Sequence, residues 1–160
     1  MTHLPLILFQ LVVISWTAYA YMEGTREAWM WYQKWTRRLE VRFPVKDEHH
    51  LFLAQRAIVW VMTFGCFYGL ARGLELSIWW AVLENIVIAF IFLPIHQGAY
   101  YQTRRDLSPD TYIEGFWDHA KNSTRWSTKF FDGDTRFVML LFGVISHLAI
   151  TIAYVSYIYG

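Results

Sequence analysis

The sequence predicts an all-α protein, an integral membrane four-helix bundle with amphipathic interfacial helices on the cytoplasmic side. Three observations carry this expectation. Mostly apolar stretches at about 4–22, 51–71, 76–97 and 136–159 each reach the roughly 20 residues needed to cross a hydrocarbon core. Lysine and arginine are gathered into two of the connections between them and are absent from both ends of the chain. Apolar residues make up 56% and charged ones 17%, whereas charged residues are about a quarter of an ordinary soluble domain. Strands are not a workable alternative, because four of them cannot close a barrel and open edges are not tolerated in lipid. Residues 1–160 therefore read as a single polytopic domain.

The first stretch, 4–22, contains Ala18-Tyr19-Ala20, which resembles the small-residue cleavage site of a signal peptide. No lysine or arginine precedes it, so it is read as a retained span. The next segment, 24–50, carries Arg26, Lys34, Arg37, Arg38, Arg42 and Lys46, and the segment 98–135 carries Arg104, Arg105, Lys121, Arg125 and Lys129, with Arg136 at the start of span four. The positive-inside bias puts both segments in the cytoplasm and both termini on the non-cytoplasmic side. Residues 25–43 place Ala28, Trp35 and Leu39 at helical spacing with most charges elsewhere on the wheel. That pattern suits a helix lying in the headgroup layer, and equally a straight continuation of span one. In 98–135 the turn signals are Ser108-Pro109-Asp110 and Asp132-Gly133-Asp134. Between them Tyr112, Phe116, Trp117 and His119 suggest a short helix and a second interfacial patch.

Ionisable groups inside a span are costly to bury, so each is a candidate for chemistry. Arg56 in span two, Glu84 with Asn85 in span three, and His147 in span four qualify. Glu84 reads either as a proton, ion or substrate contact, or as a structural hydrogen bond, with His147 as partner. A second set gathers at the cytoplasmic face. Glu23 and Glu27 share a helix face if Gly24 does not break the helix between them, and His50, His96 and His119 reach the same depth. Carboxylates with imidazoles are ligands for iron, manganese or zinc. Against a metal stands the lack of any Glu-x-x-His pair, which di-metal bundle sites use. Adjacent His49 and His50 also point about 100° apart on a helix, so only one of them serves a single centre. The plain alternative for "KDEHH" at 46–50 is a helix N-terminus, with its acids set against the helix dipole.

Pro94 frees the carbonyl of Phe90 and permits a kink just before His96. Gly65 and Gly69, four apart with Cys66 between them, form a small-residue strip suited to close helix packing, within the bundle or with a partner. Neither a nucleic-acid-binding motif nor a strongly basic field is present, since the net charge is +1.

Two functional classes follow. The first is a subunit or accessory component of a membrane assembly, whose partners are the lipid bilayer and other membrane subunits or a second copy. The second is a small membrane enzyme or an ion- or proton-handling protein that uses the Glu/His cluster at the cytoplasmic face, with a transition metal as cofactor.

Overall fold

The structure, a computed structural model, describes residues 4–35, 45–118 and 132–159. Four helices follow in order: α1 (Leu4–Trp35), α2 (Val45–Gly73), α3 (Ile78–Leu107) and α4 (Gly133–Tyr159). Each contains a stretch long and apolar enough to cross a membrane. All four run beyond their apolar windows, because the backbone hydrogen-bond ladder does not stop where hydrophobicity does. At 32 residues, α1 extends about 48 Å.

The helix ends follow from local chemistry. Ser77 caps α3, its Oγ accepting from the amide of Trp79 at 3.4 Å. At the end of α2 the amides of Leu76 and Glu75 donate to the carbonyls of Ala71 and Arg72. Glu75 there holds φ 58°, the left-handed residue of a Schellman cap. That cap makes the tight α2–α3 hairpin and tucks Leu76 into the core. Asp132 caps α4 by accepting from the amide of Thr135 at 2.8 Å. The second turn signal is thus a helix start.

Helix α3 is the central element and packs on the other three, while α1 and α2 touch sparsely. The core is one stripe from each helix. It is built by Phe9, Val13, Trp16 and Ala20 of α1, Phe67 and Ala71 of α2, Ile88 and Ile91 of α3, and Ile150 and Tyr154 of α4. Gly143 allows α4 to press on the backbone of α3 at Ile91.

Of the two readings of 25–43, the described part follows the straight continuation of span one, since helix α1 passes through Gly24 without interruption. Gly24 is where α1 meets the His96 carbonyl of α3. Residues 108–118 are turns, and the rest of the stretch in which the sequence suggests a short helix lies outside the described residues. They fold back on α3, where Phe116 fills the space left by Gly98 and Arg104 stacks on Tyr112 at 3.8 Å. Pro94 lies inside α3, which continues through it to Leu107.

Candidate functional site

Buried polar groups occur at two levels of the bundle. Both sets lie on the same helix stripes as the apolar core. On α1 the stripe Phe9, Val13, Trp16, Ala20 continues at alternating steps of four and three to Glu23 and Glu27, which are therefore aimed inward.

At the first level the Arg56 guanidinium is the centre. Its Nε donates to Glu23 Oε1 at 2.8 Å, and one terminal nitrogen reaches Glu27 Oε2 at 3.3 Å and His96 Nε2 at 3.0 Å. The same His96 nitrogen stands 3.3 Å from Glu27 Oε2, so the guanidinium, the carboxylate and the imidazole form one cluster. The His96 ring stacks on Phe92 at 5.4 Å, which fixes its plane. Outside this set Gln55 donates to the Tyr19 hydroxyl at 3.3 Å and accepts from Arg26 at 3.2 Å. Two carboxylates thus share the Arg56 guanidinium, and Gln55 links Tyr19 to that of Arg26.

Glu23, Glu27 and His96 therefore gather around Arg56, which stands between them. Among the described residues no group of three His, Cys, Asp or Glu side chains has metal-binding geometry. His50 stands in the second turn of α2, but its side chain lies outside the described residues, as does His119.

At the second level His147 ties three helices. Its Nε2 donates to Gln10 Oε1 at 2.9 Å, Gln10 Nε2 donates to Thr151 Oγ1 at 3.0 Å, and its Nδ1 faces Glu84 Oε2 at 3.4 Å. Glu84 is fully buried, and its other oxygen has no partner among the described residues. The same holds for both side-chain atoms of the neighbouring Asn85. Glu84 and His96 are twelve residues apart on one helix, or about 18 Å. The layer between them is apolar, with Ile88, Ile91 and Phe92, so the two levels are separate sites. Replacing His147 by phenylalanine is expected to cost about 1–3 kcal/mol by stranding Glu84. The double change with Glu84→Leu should recover most of it, as read from unfolding midpoints in detergent.

Two functional groups were not signalled by composition. Gln10 and Gln55 are single amides within apolar runs, and only their stripe positions mark them. Arg136, counted among the loop cations in the sequence, is 1% exposed. It donates to the carbonyl oxygens of Asp118 and Asp132 and lies 5.3 Å from the Tyr101 ring. It pins residues 108–118 to the start of α4.

Gly65 and Gly69 are exposed, and a Cβ on either would meet nothing within 4 Å. Among the described residues nothing packs closely on this strip. The strip instead lines an open cleft between α1 and α2.

The fold and its polar levels define a class: an all-α bundle of four membrane-length helices with buried ion pairs holding its centre. Comparison with protein-family models, curated proteins and solved structures finds no match for the chain.

Proposed function

We propose that the chain is a small polytopic membrane protein that serves as a subunit or accessory component of a membrane assembly. Its helices span the bilayer, and its termini lie on the non-cytoplasmic side. The membrane part of this reading is supported by the large apolar side chains on the bundle's exterior. Ile14, Val61, Trp79 and Ile152 are all more than 60% exposed, and a water-soluble monomer rarely leaves such a surface uncovered. The orientation is supported by the positive-inside distribution of lysine and arginine.

The observation that carries the subunit reading is the seat of Arg56. The strongest Glu/His constellation in the sequence is closed by a guanidinium, so it acts as an interhelical lock and not as an open donor set. A chain whose most polar level is used to fix helix register is suited to presenting rigid helix faces to neighbours. The test is native mass measurement of the tagged chain extracted in mild detergent from the membrane in which it is naturally expressed. Companion proteins or a defined self-association are expected; a lone chain that retains a catalytic activity would overturn the reading.

One observation favours a second reading, ion or proton handling at the Glu84 level. A fully buried carboxyl with an unpartnered oxygen beside an unpartnered asparagine is costly if it does nothing. Proton or cation flux into liposomes that depends on Glu84 and is lost in Glu84→Gln would support it. Flux equal to that of empty liposomes would end it.

A further inference from the structure

Helices α1 and α2 are held together at one end, by Arg56 with Glu23 and by Gln55 with Tyr19. Away from that end they part. The cleft between them measures about 720 Å³ and runs from Leu8 to Tyr19 on α1 and from Val59 to Leu70 on α2, about 16 Å along each helix axis. Its walls are apolar, with Leu11, Val12 and Met62. Small groups line the α2 side, where Gly65, Cys66 and Gly69 leave the backbone bare. Ser15 and Thr63 also line the cleft, the Thr63 hydroxyl donating to the Val59 carbonyl of its own helix at 2.8 Å, and a connected polar bridge stands at one end. Tyr19 is the last lining residue there, and its hydroxyl begins a bridge through Gln55 to the exposed Arg26.

We propose that this cleft is a binding site for one anionic phospholipid, with acyl chain along the Gly65–Gly69 face of α2 and phosphate at Arg26. The proposal rests on the membrane reading and not on the subunit reading: a lipid retained by a chain without companions leaves it standing. Two features select this occupant. A trough with mainly apolar walls and a polar bridge at one end matches an amphiphile and does not match a uniformly apolar ligand. The Arg26 guanidinium at the end of that bridge selects a negative headgroup.

The test uses the full chain in mild detergent with an equimolar mixture of dioleoyl phosphatidylglycerol and dioleoyl phosphatidylcholine, read by native mass spectrometry. One phosphatidylglycerol retained per chain is expected, favoured over phosphatidylcholine about fivefold, the ratio that one arginine near an anionic group provides. Arg26→Gln should bring the two lipids to equality. Gly65→Leu should remove retention of both by filling the cleft, without disturbing the bundle, since nothing stands within 4 Å of that position. Gly73→Leu, equally open but outside the cleft, should retain lipid as the parent does, and unchanged unfolding midpoints verify that every variant is folded. Any of three results overturns the proposal: no lipid bound at one per chain, no headgroup preference, or retention untouched by Gly65→Leu. A second copy of the chain displaced by Gly65→Leu would also overturn it, assigning the cleft to helix packing.

Discussion

Replacing Arg56 by alanine is expected to destabilise the bundle by about 3 kcal/mol, the low end of what breaking a buried ion pair costs. The low end applies because the Arg56 side chain is 30% exposed, whereas those of Glu23 and Glu27 are nearly dry at 2% and 7%. The penalty comes from the carboxylates left behind. Both sit on the buried stripe of α1, and Arg56 is the cation that reaches both of them. Removing all three charges together, as Arg56→Met with Glu23→Gln and Glu27→Gln, should therefore recover most of the loss. Denaturant titration in detergent, followed by tryptophan fluorescence, provides the comparison. A single-variant loss below about 1 kcal/mol would show that the cluster is solvated like a surface pair.

Gly24→Ala is expected to produce the second large effect, a loss at or above the upper end of the roughly 1–3 kcal/mol typical of overpacking. The added methyl would overlap the His96 carbonyl, a backbone atom that cannot rotate away. Helix α1 would have to move off α3, taking Glu23 and Glu27 out of register with His96. The same change at Gly65 is expected to be neutral or stabilising by up to about 1 kcal/mol, because alanine is the better helix former and the site is open. Unfolding midpoints that fail to separate these two variants would contradict the close α1–α3 contact.

The four helices were legible because length and apolarity are properties of contiguous residues. The depth of Glu23, Glu27 and His96 was legible for the same reason, since it follows from counting along each helix. What meets what was not legible. Arg56 and His147 were both marked as costly to bury, yet the partner of Arg56 depends on the rotation and register of α2 against α1 and α3. A hydrogen bond from Glu84 to His147 was one of two readings of that carboxyl, but Gln10 went unnoticed among apolar neighbours. The glycine strip shows the same limit, because Gly65-x-x-x-Gly69 specifies a smooth face without saying where it points. Helix ends were misjudged at α1 and α3, where polar residues such as Arg26, Gln102 and Arg105 continue a helix beyond its apolar window. A stripe rule finds most of what was missed. Extending the buried positions Gly143, His147, Ile150 and Tyr154 of α4 backwards by seven reaches Arg136, the buried cation that loop position had disguised.

The central claim is that a guanidinium, and not a metal ion, is the cation of the Glu23–Glu27–His96 level. Elemental analysis of the chain purified without chelator from membranes grown with iron, manganese and zinc tests it most directly. No transition metal at stoichiometric level is expected in the parent protein or in Glu27→Ala. One iron, manganese or zinc per chain, lost in Glu27→Ala, would contradict it and restore the enzyme reading.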